Sequence, residues 1–177
     1  MLCCGVSAGC GGASASSTSS AAPKNAAQVV CNEARAAAQS TLHHPVSLTF
    51  RDRDPANIEC LLRGSRTRLD LTAQQSARAW EQFDTVQVHQ DQAYGPGAAH
   101  QQSQIPLPVN IPGGVGGWIP AQRMLFATNG SQSKGGSYVT VTVSGRRRGK
   151  AEVALARAVT VAALKMAPKG PNLTAPS

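Results

Sequence analysis

The stretch GSYVTVTVSG at residues 136–145 decides the fold class of this chain. Its three valines alternate with two threonines, which is the pattern of a strand that buries one of its faces. The stretch AQRMLFATN at residues 121–129 lies just before it, across a turn rich in glycine and serine. We expect the two stretches to pair as an antiparallel hairpin, because strands joined by a short turn usually pair in this way.

The residues after this hairpin predict a final helix from Lys150 to Met166. The segment is apolar over most of its circumference, but it carries Arg157 and Lys165 and is shorter than a membrane span. A helix packed into the core of a folded domain is therefore expected.

The residues before the hairpin predict a helix, three strands and a second helix. The alanine-rich residues 26–39 favour a helix that ends near Ser40, ahead of a His-His-Pro breaker. Alternating apolar residues then indicate three strands, VSLTFRD, NIECLLR and RLDLT, of which the last two form a hairpin. Thr72 and Gln75 make a capping-box pattern for the second helix. The apolar stripe of that helix would comprise Ala77, Trp80, Phe83 and Val86.

Residues 95–117 are rich in glycine and proline and are predicted to form a long loop. Apolar residues between the prolines indicate that this loop folds back over the sheet. It would act either as a lid over a ligand cleft, with Trp118 at its base, or as a plug at the edge of the core. The predicted element order is α-β-β-β-α-β-β-α, which is an α+β fold with helices packed on an antiparallel sheet of about five strands.

The predicted domain covers residues 27–166, and the segments outside it differ in composition. Residues 11–26 consist mainly of glycine, alanine and serine, and are expected to be a flexible tether because they offer little apolar surface to bury. Residues 167–177 contain three prolines and are expected to be a disordered tail.

The sequence SAGC at Ser7–Cys10 resembles the lipobox of bacterial lipoproteins, in which the cysteine thiol carries the lipid. The resemblance implies that residues 1–10 are the remnant of a lipoprotein signal and that Cys10 is lipidated. Ser7 stands where that box usually has leucine, and the charged and apolar parts of a signal peptide do not precede it. Two interpretations stay open: translation begins upstream of Met1, or the chain is a cytosolic protein with a Gly–Ser-rich arm.

The five cysteines favour the first interpretation. Cys3 and Cys4 would leave with the signal and Cys10 would carry lipid, so that Cys31 and Cys60 remain as one pair in an oxidising compartment. A disulfide between them is predicted, and it would stabilise the fold by roughly 3–4 kcal/mol by closing a loop of about 30 residues. The alternative is two buried free thiols. We predict no metal or cofactor, because no histidine lies at a zinc-ligand spacing from the cysteines.

A net charge of +8 favours anionic partners. Two groups of basic residues stand out, one consisting of Arg63, Arg66 and Arg68 and the other of Arg146, Arg147, Arg148 and Lys150. Together they would form an anion patch for phosphate or carboxylate groups, and the alternative is two separate solvated turns. The sequence disfavours nucleic acid as a partner, because aromatic residues for base stacking are not interleaved with these arginines.

No pattern in the sequence indicates catalysis, so a binding domain without enzymatic activity is expected. The stretch GRRRGKAE at residues 145–152 lies between a strand and a helix, as a phosphate-binding P-loop would. However, only three residues separate Gly145 from Gly149, and Ala151 stands where a serine or threonine would hold magnesium. No serine lies in a nucleophile elbow.

Residues 112–145, PGGVGGWIPAQRMLFATNGSQSKGGSYVTVTVSG, resemble the second half of the small actinobacterial cell-envelope lipoproteins of a domain-of-unknown-function family. Cys31 and Cys60 are similar to the first cysteine pair of that family, whereas the valine-rich strand lacks a cysteine that many members have. The resemblance implies a domain anchored by lipid at the outer face of the cell membrane. Its partners would be the membrane and an anionic envelope polymer or another envelope protein. The resemblance transfers no catalytic residue.

Overall fold

A computed structural model describes residues 26–54, 56–76, 79, 81, 83–84, 106–130, 135–146 and 148–167. This part of the chain has an α+β fold, which confirms the predicted class. Its elements are α1 (Ala26–Leu42), β1 (Ser47–Asp54), β2 (Asn57–Arg63), β3 (Thr67–Ser76), β4 (Leu107–Val109), β5 (Val115–Ile119), β6 (Met124–Thr128), β7 (Gly136–Gly145) and α2 (Lys150–Met166). Helical residues are also found between β3 and β4, at Ala79, Glu81, Phe83 and Asp84.

The strands form one antiparallel sheet in the order β1-β2-β3-β7-β6-β5-β4. Its centre is the pair β3 and β7, which runs in register from Thr67 opposite Gly145 to Ser76 opposite Gly136. The predicted hairpin of β6 and β7 is present, with Leu125 opposite Val141. The central pairing of β3 with β7 therefore joins two meanders that are distant in the sequence.

Both helices pack on one face of the sheet and against each other. Val139, Val141 and Val143 of β7 are buried on that face, as their alternation predicted. Alanines on both helices are fully buried, among them Ala34 and Ala163, and such small side chains let helices approach closely. Burial of each large aliphatic side chain in this core contributes roughly 1.5–3 kcal/mol.

A disulfide joins Cys31 of α1 to Cys60 of β2, which confirms the predicted pairing. The two Cα atoms lie 6.2 Å apart, within the range that a disulfide bridges, and both residues are buried. The bond fixes α1 above the middle of β2, the strand next to the edge strand β1.

The opposite face carries a smaller apolar cluster at β5, β6 and β7. Ile119, Phe126 and Tyr138 are buried there together with Ala79 and Phe83 from the helical residues after β3. The rings of Phe83 and Phe126 lie 5.2 Å apart. The prediction of a helix that uses Phe83 as an apolar contact agrees with this cluster, whereas Ala77, Trp80 and Val86 lie outside the described residues.

The predicted count of about five strands is wrong, because the sheet has seven. Residues 107–117, assigned to a long loop, contain β4 and most of β5. The glycines that suggested a loop are required inside a strand: a Cβ on Gly117 would lie 2.6 Å from the Phe126 ring. A Cβ on Gly116 would lie equally close to Ile111. Residues 95–105 lie outside the described residues.

The capping box predicted at Thr72 and Gln75 is also wrong. Both residues belong to β3, where Thr72 stands opposite Thr140 and Gln75 opposite Ser137. Pairing with the long strand β7 overrides the local helix signal, because each added residue of β3 gains a hydrogen-bonded partner in the centre of the sheet.

Candidate anion-binding site

The fold brings the two groups of basic residues together at one end of the sheet. Arg63 stands opposite Arg68 across the β2–β3 turn. The backbone N–H of Arg146, just after β7, donates to the carbonyl oxygen of Arg66 in that turn, with an N–O distance of 3.3 Å. The end of β7 therefore lies beside the β2–β3 turn, which favours one surface over two separate turns.

We call this end of the domain the basic pole, and define it by Arg63, Arg66, Arg146, Arg148 and Lys150. All five residues are exposed. No carboxylate of the described residues lies within salt-bridge distance of these five cations. Arg147, which we also assigned to the patch, lies outside the described residues. The basic pole thus presents cations that the described fold does not neutralise.

Arg68 differs from the other predicted patch residues because it is paired. Its guanidinium donates two hydrogen bonds to the carboxylate of Asp70, at 2.9 and 3.0 Å. This hydrogen bonding raises the pKa of Arg68. Asp70 also lies 3.1 Å from the guanidinium of Arg51. Arg68 therefore stays a predicted residue of the patch, but its ion pair with Asp70 makes it less available to an anion than the other arginines.

Gly145 allows the end of β7 to approach the β2–β3 turn closely. Gly145 has φ of 114°, a region that other residues rarely adopt. A Cβ at this position would lie 2.2 Å from the carbonyl oxygen of Arg66. The β2–β3 turn itself is closed by a hydrogen bond of 2.8 Å from the N–H of Gly64 to the carbonyl oxygen of Thr67.

An ion pair that the sequence did not predict holds the start of α2 in place. Arg123, in the β5–β6 turn, donates from Nε to the buried carboxylate of Glu152 and from a terminal nitrogen to the carbonyl oxygen of Gly145, at 3.2 Å. Glu152 lies in the first turn of α2, where a negative charge also interacts favourably with the helix dipole. An acidic residue early in a predicted helix was visible in the sequence, but its partner was not.

The C-terminal end of α1 packs against the same turn. His44 Nε2 lies 3.5 Å from the Ser65 hydroxyl oxygen, and a Cβ on Gly64 would lie 2.5 Å from His44 Cε1. The Leu42 side chain lies beside the same glycine. This contact fixes the direction of α1 relative to the basic pole.

Trp118, predicted as the base of a lid, belongs to the main core instead. It is buried in β5, opposite Leu107 and Leu125 on the neighbouring strands. The segment before it forms edge strands, so the alternative interpretation, a segment that closes the edge of the core, fits the described residues better than a lid does.

A groove of about 710 Å³ runs along the β4–β5 hairpin. Its walls are mainly apolar, from Val109, Ile111 and Val115 together with Phe83, and Asp84 is the charged residue among them. Among the described residues of its lining there is no lysine or arginine, so this part of the groove offers no cation to an anion and is separate from the basic pole.

The described residues contain no group of three His, Cys, Asp or Glu side chains placed to hold a metal ion. Among the same residues, no helix combines the length and apolar character that crossing a bilayer requires. Comparison with protein-family models, with curated proteins and with solved structures finds no match to this chain.

Proposed function

We propose that this chain is a binding domain without catalytic activity, which a lipid on Cys10 holds at the outer face of the cell membrane. In this proposal its basic pole binds anionic groups of the cell envelope. The observation that carries the binding function is the hydrogen bond between Arg146 and Arg66, because it joins two distant groups of arginines into one exposed surface.

The chemistry of the basic pole suits phosphate or carboxylate groups. Arginine presents a planar fork of N–H donors that matches both kinds of anion, and the four arginines here are exposed. A single exposed ion pair between an arginine and an anionic group would contribute at most about 1 kcal/mol to the free energy of binding. A polymer that carries many anionic groups engages several arginines at once, so its affinity rises well above that of a single group.

Two features support a location outside the cytosol. Disulfides persist mainly in oxidising compartments, and Cys31 and Cys60 form one. The lipobox-like SAGC sequence and the resemblance to actinobacterial envelope lipoproteins support a lipid anchor at Cys10. The non-catalytic part of the proposal rests on the sequence, in which no catalytic pattern was found.

A second candidate is a cytosolic basic protein that binds an anionic polymer or nucleic acid and carries a disordered N-terminal arm. The same exposed arginines favour it, because nucleic-acid phosphates would meet the same donors. The disulfide favours the envelope, since the cytosol keeps thiols reduced.

Binding of the full chain to fluorescent polyphosphate, followed by anisotropy over a salt series, tests the proposed function. We expect binding at low salt that weakens steadily as salt rises, because exposed charges are screened within about 10 Å at 0.1 M salt. A chain that does not bind polyphosphate even at low salt would contradict the proposal.

A further inference from the structure

The helix α1 places the basic pole and Ala26, the first described residue, at opposite ends of the domain. Two contacts fix its direction: Cys31 is bonded to Cys60 in the middle of β2, and Leu42 lies beside Gly64 at the end of β2. The helix therefore runs along β2 toward the basic pole. A helix of 17 residues is about 25 Å long, so Ala26 lies on the order of 25 Å from that pole.

The helix α2 runs in the reverse direction. It begins at Lys150, which belongs to the basic pole, and near its other end the carbonyl oxygen of Leu164 accepts a hydrogen bond of 3.3 Å from Asn129, just after β6. Ala26 and Ala167 therefore lie at the same end of the domain. We call this end the tether pole, and it also contains the β1–β2 turn.

The described residues of the tether pole lack the excess of positive charge that defines the basic pole. Asp52 accepts hydrogen bonds from the N–H of Asp54 and from the side chain of Asn57, at 3.0 and 3.1 Å, and the first of these is the main reason that its pKa is lowered. Glu59 also contacts Asn57. Three cations lie at the same end, Arg51, Arg53 and Lys165, and all three are exposed. They balance the carboxylates of Asp52, Asp54 and Glu59, so the described part of the tether pole is close to neutral.

From this polarity we infer that the basic pole faces away from the anchoring membrane and binds an anionic polymer in the layer beyond it. The inference rests on the proposed lipid anchor at Cys10. Anionic headgroups attract the basic pole as well, but a lipid on Cys10 would anchor the chain on the side of the nearly neutral tether pole. The domain thus connects the membrane to a polymer instead of lying flat on lipid headgroups.

The test attaches the full chain to vesicles at one pole or at the other. In one variant, Cys3→Ser and Cys4→Ser leave Cys10 as the thiol outside the disulfide, and Cys10 is coupled to a maleimide lipid. In the matched variant, Cys10→Ser and Ser65→Cys are added, so that the exposed β2–β3 turn is coupled instead. Capture of fluorescent polyphosphate is measured on neutral phosphatidylcholine vesicles and on vesicles that also contain anionic phosphatidylglycerol.

We expect the chain coupled through Cys10 to bind polyphosphate on both kinds of vesicle within a factor of about two of the free chain, because its basic pole stays accessible to the solution. Coupling through residue 65 should weaken capture about tenfold, because it turns the arginines toward the lipid. Loss of capture by the Cys10-coupled chain on anionic vesicles, or equal capture by both couplings, would contradict the inference. If the free chain itself does not bind polyphosphate, the proposed function fails before the orientation is in question.

Discussion

The backbone N–H of Arg146 donates a hydrogen bond to the carbonyl oxygen of Arg66, with an N–O distance of 3.3 Å. This contact joins the end of β7 to the β2–β3 turn and so creates the basic pole from two segments distant in the sequence. It depends on the close approach of Gly145 to Arg66.

Replacing Gly145 should move the end of β7 away from the β2–β3 turn. In Gly145→Ala, the new Cβ would collide with the Arg66 carbonyl oxygen at a backbone φ of 114°, so we expect a loss of roughly 1–3 kcal/mol in the free energy of unfolding and weaker polyphosphate binding. Gly149→Ala is the matched control, because its φ is also positive but no atom lies within 4 Å of the added Cβ. Urea unfolding of both variants measures the difference, and equal losses would show that the close approach is unimportant.

The disulfide should account for a substantial part of the stability. The cysteines are 29 residues apart, so the double variant Cys31→Ala and Cys60→Ala should lose about 3–4 kcal/mol of unfolding free energy in the chain-entropy treatment. Mass spectrometry of protein alkylated in denaturant without reduction should find both cysteines unmodified. Alkylation of both would contradict the pairing and would remove the main support for an oxidising compartment.

Tyr138 should make the stability fall at high pH. Burial raises the pKa of its hydroxyl to about 12. The pKa of Tyr138 in the folded state lies above its unfolded value of about 10. The contribution of the protonated hydroxyl to the free energy of unfolding is therefore complete below pH 10 and is lost as the pH rises through 12. The loss across this window should be about 2–3 kcal/mol. Urea unfolding at several pH values should show a shallower decline for Tyr138→Phe than for the wild type, whereas identical declines would contradict this assignment.

Cys10 should carry the lipid anchor. Cells that make the protein and are supplied with labelled palmitate should incorporate the label into the chain, and Cys10→Ala should abolish the label because no other residue completes the lipobox. Cys4→Ala is the control and should retain it. Label that persists in the Cys10→Ala variant would contradict lipidation at this position.

The sequence predicted the elements whose signals are local. The bounds of α2, Lys150–Met166, follow from a long apolar segment between polar ends, and the buried face of β7 follows from the alternation of its valines. The pairing of Cys31 with Cys60 followed from the number of cysteines left after the lipobox was assigned.

The features that the sequence did not predict depend on distant contacts. Gly116 and Gly117 indicated a loop, yet they lie in a strand because Ile111 and the Phe126 ring occupy the space of a side chain. Thr72 and Gln75 gave a helix signal, yet β7 holds them in a strand. The proximity of the two arginine groups follows from the same β3–β7 pairing, which no local pattern reveals.

Removal of equal charge from the two poles tests whether the basic pole is a defined anion-binding surface. Arg66→Ser with Arg146→Ser removes two cations from the basic pole, and Arg53→Ser with Lys165→Ser removes two from the tether pole. Both variants should melt within a few degrees of the wild type, because these side chains are exposed and the contact of Arg53 with the Phe50 ring contributes at most about 1 kcal/mol.

Polyphosphate binding by the two variants is then compared by fluorescence anisotropy over a salt series. We expect the basic-pole variant to bind about tenfold more weakly than the wild type at low salt, and this difference in affinity to narrow as salt rises. The tether-pole variant should bind within about twofold of the wild type. Equal weakening of both variants would contradict the account, since the net charge of +8 would then act without a defined binding surface.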